Sequence, residues 1–511
     1  MRKIFSILAS VTVFLTACQK NLNEQNVQST NADDLQQQKL STKQINDFIR
    51  QKIDETGSFD WKDASDLMIW SALQNSDKIV CVGYKPADEN NIDNRISSVN
   101  INDAKWKTAK QQVLEMIFSE EKISNPKLKI EELEVWKENK LPVIDVKIES
   151  LRTIQLLRKS KLIRYAEPMG YDPLTYEQNG ISEGIFGESG CGSYAGDTNL
   201  IAGTDYSVIA PNAKMSWNYR YHGIKRAWTK STGKGVKIMV IDTGVDPDQD
   251  NLGSEFNQGA SSGRTLQKIF TLPDVASADD ECGHGTTMCG EAAAPRCVDG
   301  NSCGIAYNCD LVVCRASKDV YINQSDEVKG VSDAYTLAAD DNSIKIISMS
   351  MGRVTSNGQI KDAVNYAYGK GKLMFCAGGT SFSWTAGFVG VIFPANLSTV
   401  EAVTGVKDTK KLTACSDCHK GKQIDFVIVM EKSSTKVNPL STARSGDVPT
   451  TVGGSSVATS TAAGIAALVW SRFPSYTRAD VINKLTVTAS AYPNKTADYG
   501  WGKLNADKAT N

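Results

Sequence analysis

Lys237-Ile238-Met239-Val240-Ile241-Asp242-Thr243-Gly244 is an apolar run that stops at a carboxylate and a glycine turn. A run of this length with such an end reads as a buried strand. Further strand-like runs follow at Leu311 to Val313, Ile344 to Met349 and Leu373 to Cys376. Helical stretches lie between and after them, at Asp333 to Asp340, Asp362 to Tyr368, Ser456 to Trp470 and Arg478 to Thr486. This alternation predicts an α/β fold, a doubly wound and mostly parallel sheet with helices on both faces, over residues 212–511. In such sheets functional groups gather at the carboxyl ends of the strands, which is where Asp242 stands.

Upstream the pattern changes. Lys78 to Tyr84 reads as a strand, Trp106 to Phe118 as a helix and Lys127 to Trp136 as an alternating strand; Val143 to Val146, Ser150 to Leu157 and Leu162 to Ala166 then read as strand, helix and strand. The order β-α-β-β-α-β predicts a small α+β domain of split βαβ type over residues 77–171. Residues 172–211 are rich in glycine and irregular, the composition of a linker. Residues 18–76 are expected to be a polar tether, since Gln19 to about Lys43 is dominated by Asn, Gln, Ser, Thr and Lys.

The 511 residues carry 57 Lys and Arg against 58 Asp and Glu. A near-zero balance gives no electrostatic footprint for nucleic acid. At the start, Arg2 and Lys3 precede an apolar stretch from Ile4 to Leu15 and then Leu15-Thr16-Ala17-Cys18. The apolar stretch is too short to span a bilayer and reads as an export signal over residues 1–17. The small residues before Cys18 are similar to a bacterial lipobox, which implies a lipid on Cys18, attachment to the cell envelope or surface, and the membrane as a partner. Export permits disulfides. Pairing is expected among the cysteines of the second half, where Cys297 and Cys303 bracket a polar turn; Cys289, Cys314 and Cys376 sit in apolar runs and read as buried thiols. Cys415-Ser416-Asp417-Cys418-His419 has the form of a c-type haem attachment site, but also of a disulfide or a thiol pair.

The chain has only three histidines, His222, His284 and His419. His284 lies in Cys282-Gly283-His284-Gly285-Thr286, where glycines on both sides let an imidazole approach a neighbour closely. Ser456 lies in Gly453-Gly454-Ser455-Ser456-Val457-Ala458-Thr459, at the head of a helix whose next turns are small residues. A serine there sits by free backbone N–H groups and the positive end of the helix dipole. Taken singly, these residues also suit a strand-ending turn, a polar histidine and a helix N-cap.

Together, Asp-Thr-Gly, Gly-His-Gly-Thr and Gly-Ser-Ser-Val-Ala-Thr in that order resemble the subtilisin-like serine peptidases. Ile347-Ser348-Met349-Ser350-Met351-Gly352, Phe393-Pro394-Ala395-Asn396 and Gly500-Trp501-Gly502 extend the resemblance from about Met215 to the C-terminus. It implies a serine endopeptidase with Asp242, His284 and Ser456 as its triad, acting on proteins or peptides and requiring no cofactor. Ser350, Met351 and Gly352 would bind an extended substrate by strand addition. The oxyanion would be held by Ser456 N–H and by a second donor; Thr380 stands where the family has asparagine, and a slip of one residue would put Gly379 there. The resemblance also implies that the 77–171 domain is an inhibitory propeptide, removed by self-cleavage between about Pro168 and Pro211. Calcium is common in the family, and Asp246, Asp248 and Asp250 alternate after the triad aspartate, but Asn251 replaces a ligand aspartate and no metal is assigned. The competing reading is a weak or inactive member of the fold that holds peptides in its cleft.

Overall fold

The computed structural model describes residues 39–138, 140–173, 190–380 and 390–511; the signal segment and Cys18 lie outside the described residues. The chain enters as helix α1 (Thr42–Thr56), capped by a reciprocal Ser41–Gln44 capping box, followed by α2 (Asp66–Gln74). This corrects the expected tether, which was drawn through residue 76. Ile45, Ile49 and Ile53 recur every four residues and are buried, as are Phe59, Trp61, Ile69 and Leu73. A stripe that narrow, diluted by polar neighbours on the other faces, is easily read as solvated chain although it suffices to fasten a helix.

The small domain continues with β1 (Ile79–Tyr84), α3 (Ala104–Ser124), β2 (Glu134–Trp136), β3 (Val143–Lys147), α4 (Leu151–Lys159) and β4 (Ile163–Pro168). Its antiparallel sheet has the order β2-β3-β1-β4, as the split βαβ pattern requires. The strand expected over Lys127–Trp136 shrinks to its last three residues, because Ile130–Glu132 turns as a 3-10 helix.

The irregular linker is also partly ordered. Tyr206–Ile209 (β5) pairs antiparallel with Ala213–Ser216 (β6). Beyond it run β7 (Lys237–Asp242), β8 (Leu266–Phe270), α5 (His284–Ala293), β9 (Asp310–Arg315), α6 (Ser325–Asp340), β10 (Ile344–Met349), α7 (Gly358–Gly369), β11 (Leu373–Ala377), β12 (Glu401–Lys407), β13 (Ile424–Glu431), α8 (Gly454–Arg472) and α9 (Arg478–Thr488). Seven strands form one parallel sheet in the order β13-β12-β11-β10-β7-β9-β8. Chain order reverses between β7 and β10, so a crevice opens at the carboxyl ends of these two strands.

Helix α8 is the core of this domain. Ala458, Ala462, Ala463, Ala466 and Ala467 are all fully buried, and their small side chains let the helix lie against β10 to β13. Among the described residues no helix is long and apolar enough to cross a membrane.

The small domain packs its sheet on α6 and α7. Arg164 makes a two-pronged ion pair with Asp362, both bonds 2.6 Å, and Tyr165 donates to the same carboxylate at 2.7 Å. Glu167 accepts the N–H of Gly358 at the start of α7, and Gln359 donates to Asp145 on β3. After β4 the chain stays fastened, with Arg353 donating to the carbonyls of Met169 and Tyr171, and with Asp172 accepting from Val354 N and Thr355 N.

Candidate active site

Asp242 ends β7, His284 opens α5 and Ser456 lies in the first turn of α8, so three elements deliver the three predicted residues to one edge of the sheet. His284 Nδ1 is 2.8 Å from Asp242 Oδ1, and both residues are buried. A carboxylate at that distance makes Nδ1 the protonated nitrogen and leaves Nε2 with its lone pair. Burial opposes a charged ring, but Asp242, by charge and hydrogen bond, outweighs it with help from Asp280 and Asp319, and holds the His284 pKa above the ordinary histidine value. The close approach depends on Gly285, where a Cβ would fall 2.4 Å from the carbonyl oxygen of Gly244.

Ser456 Oγ donates to the carbonyl of Ser350 at 3.3 Å, and Ser350 Oγ donates back to the carbonyl of Ser456 at 2.9 Å. Among the described residues no hydrogen bond joins Ser456 to His284. Such bonds are commonly loose without substrate and tighten when the reacting carbonyl is in place.

The other histidines are structural. His222 bridges the carbonyl of Leu504 and the N–H of Val429, and burial pushes its pKa down to about 4. Burial does the same to His419, also to about 4. Cys415 and Cys418 are joined in a disulfide, so neither thiol is available for haem attachment. Cys289, Cys314 and Cys376 are buried free thiols as expected, but Cys297 and Cys303 are also free.

The second disulfide, Cys191–Cys282, is absent from the sequence reading. It ties the former linker to the loop two residues ahead of His284. Gly192 N–H donates to the carbonyl of Cys282, and the ring of Tyr194 meets that of His284 edge-on with centroids 6.4 Å apart. Asp280, also missed, organises the same loop: its carboxylate accepts from Thr243 Oγ1, Cys282 N, Gly283 N, Thr286 N and Thr286 Oγ1.

Thr380 sits beside the turn at Gly454 that leads into α8. Its Oγ1 is 2.9 Å from Ser455 Oγ and accepts from Ser455 N at 3.2 Å. Ser350, Met351, Gly352, Thr380, Ser455 and Ser456 all line one recess, of about 40 Å³. The strand edge expected to be open is closed. Gly352 N–H donates to the carbonyl of Val320, and Ile322 N–H donates to the carbonyl of Gly352. The backbone groups of Gly352 assigned to an extended peptide are therefore taken by the chain itself.

The aspartates after Asp242 do not fit calcium. Asp246 is paired with Arg444 at 2.5 Å and accepts from Asp248 N, and Asn251 donates its amide to Asp299. Cation neutralisation of Asp246 is already supplied by a guanidinium. Among the described residues no group of three or more His, Cys, Asp or Glu could hold a metal ion.

Residues 233–502 match the subtilase family, peptidase S8. The chain belongs to the subtilase family of serine-type endopeptidases. It is 30% identical over 315 residues to the thermostable alkaline protease of Halalkalibacterium halodurans, covering 61% of this chain and 78% of that protein. It is also 30% identical over 279 residues to subtilisin Savinase of Lederbergia lenta, covering 55% of this chain and 92% of that protein. The solved structure of MycP1 from Mycobacterium smegmatis matches with a TM-score of 0.46 at 20% identity, over 60% of this chain and 88% of that one.

Proposed function

We propose that this chain hydrolyses peptide bonds of proteins with Ser456 as nucleophile, His284 as base and Asp242 as the group that orients and charges the base. The observation that carries this reading is the buried 2.8 Å contact between Asp242 and His284 at the strand crossover, beside a serine at a helix start. Ser456 Oγ bonds to the substrate carbonyl carbon while its proton passes to His284 Nε2. The carbonyl oxygen, now negative, is held by Ser456 N–H and the Thr380 hydroxyl. Collapse expels the amine, which takes the proton from His284 and leaves an acyl-enzyme. Water, deprotonated by His284, then attacks the acyl carbon, and His284 returns that proton to Ser456 Oγ as the acid leaves.

The domain over 77–171, with the helices before it, acts as the propeptide of a zymogen. This reading is supported by the way the domain and the chain after it stay fastened beside the cleft, Glu167 to Gly358 N–H and the carbonyls of Met169 and Tyr171 to Arg353; the Gly352 edge is also self-paired, so a substrate strand has to displace residues 320–322. Cleavage ahead of Cys191 would leave the new N-terminus tied to the histidine loop by the Cys191–Cys282 disulfide. Export and lipid attachment at Cys18 place the enzyme at the envelope, with the lipid at first on the propeptide side.

Expression of the parent chain beside Ser456→Ala tests this. The parent is expected to yield a shorter catalytic fragment that cleaves casein, and the variant to stay full length and inactive. A parent that stays full length yet cleaves casein would make the N-terminal domain permanent; a variant that matches the parent in both respects would remove Ser456 from the reaction.

A further inference from the structure

We propose that Ser455 is a positioning residue for the oxyanion: its hydroxyl donates to Thr380 Oγ1 and so leaves the hydroxyl hydrogen of Thr380 free for the developing negative charge. The proposal rests on the oxyanion role given to Thr380 above and explains how a threonine fills it.

A single hydroxyl is an ambiguous donor, because it rotates and accepts as readily as it donates. An asparagine amide nitrogen can only donate. The hydrogen count leaves one hydroxyl hydrogen over, and exposure assigns it. Thr380 Oγ1 and Ser455 Oγ are 2.9 Å apart and share one bond. Ser455 N–H donates to Thr380 Oγ1 at 3.2 Å, and Gly379 N–H donates to Ser455 Oγ at 3.2 Å. Two hydroxyl hydrogens serve one shared bond, so one is left over, and neither oxygen has a further acceptor among the described residues.

The leftover hydrogen belongs to the residue that is open to the recess. Both residues border it, but Ser455 is 1% exposed, whereas Thr380 is half-buried. With Ser455 N–H and Ser455 Oγ–H both directed at Thr380 Oγ1, that oxygen has no lone pair left to offer, and its own hydrogen can only be given away. The approach needs the turn at Gly454, which has φ +81° and where a Cβ would lie 2.9 Å from Thr380 Oγ1.

The test measures kcat and KM on a peptide amide for Thr380→Ala, Ser455→Ala, Ser455→Thr and the double alanine variant, with folding checked by circular dichroism. Thr380→Ala is expected to lower kcat about 100-fold with little change in KM, in the range for loss of one oxyanion donor. Ser455→Ala is expected to lower kcat about 10-fold, Ser455→Thr to stay within about 3-fold of the parent, and the double variant to match Thr380→Ala, since a positioning residue has nothing to position once its partner is gone. Parental kcat in Ser455→Ala, or a double variant that falls by the product of the single effects, would overturn the proposal while leaving Thr380 in place. Parental kcat in Thr380→Ala would overturn both. If Ser455→Ala does not fold, Ser455→Val against Ser455→Thr makes the comparison at matched shape; equal kcat in the two contradicts the role.

Discussion

At the scale of residues, the proposed base His284 and its partner Asp242 are expected to set the pH dependence. The base works in its neutral form, and the nearby carboxylate holds its pKa above the ordinary histidine value despite burial. Activity is therefore lost as pH falls through a midpoint above about 6.5. In Asp242→Asn the charge that favours protonation is gone while the desolvation remains, so the midpoint of kcat/KM moves to lower pH and kcat falls by roughly 10⁴. A pH profile of the two proteins checks this; an unmoved midpoint would detach Asp242 from the base. These residues were legible because each chemical group is bracketed by glycines or small residues that leave a pattern. Asp280 was not, because its bonds run to backbone and hydroxyl groups of the next loop, which any sequence with the right turn would offer. Thr380 was found by its position, but its pairing with Ser455 could be seen only in three dimensions.

At the scale of elements, two loops are braced by disulfides. Cys418 pairs across to Thr380 as an isolated bridge, and His419 N–H donates to the carbonyl of Gly379, so the Cys415–Cys418 turn backs the loop that carries Thr380. Cys191–Cys282, closing 91 residues, backs the histidine loop. On chain entropy alone a loop of that length is worth about 4–5 kcal/mol, an upper figure for most proteins. Cys191→Ser is expected to lower the melting temperature by several degrees and kcat more than KM, because Tyr194 then loses its hold beside His284. A variant with parental melting temperature and kcat would reduce the bond to an ornament. Connectivity was beyond the sequence because 12 cysteines permit many pairings and seven of those described stay buried and free. The central strands β7, β9, β10 and β11, by contrast, were legible as apolar runs, since strands covered on both faces have no polar alternation to blur them, whereas β8, with Gln267, Lys268 and Phe270 exposed, was not. Helix α1 was lost for the opposite reason, its three isoleucines being too thin a stripe among polar residues.

At the scale of the whole molecule, the N-terminal domain is held by carboxylates that resist ionisation. Burial raises Glu167 to about 8, helped by Asp60 and opposed by the Gly358 N–H and Arg353; burial raises Asp145 to about 7 against the pull of Lys329 and Gln359. Asp362 also faces Glu167, and Glu138 and Asp333 face Asp145. Both acids are protonated more readily in the packed state than they would be in water. The hold is thus complete at pH below the free carboxylate range and weakens as pH rises through about 7 to 8. After processing, the cleaved domain is expected to co-elute with the catalytic domain at about pH 5 and to separate at about pH 9 in size-exclusion chromatography. Equal retention at both would show that other contacts, with the buried Arg164–Asp362 pair foremost, decide the hold.

The central claim is that Ser456 is an activated nucleophile. A fluorophosphonate probe reacts with a serine only when a base takes its proton, so the direct measurement is labelling of the purified protein followed by mass spectrometry of the labelled peptide. The account predicts one label, on Ser456, abolished in Ser456→Ala and in His284→Ala. Absence of label from a folded and processed protein, or a label that persists in Ser456→Ala, would contradict it.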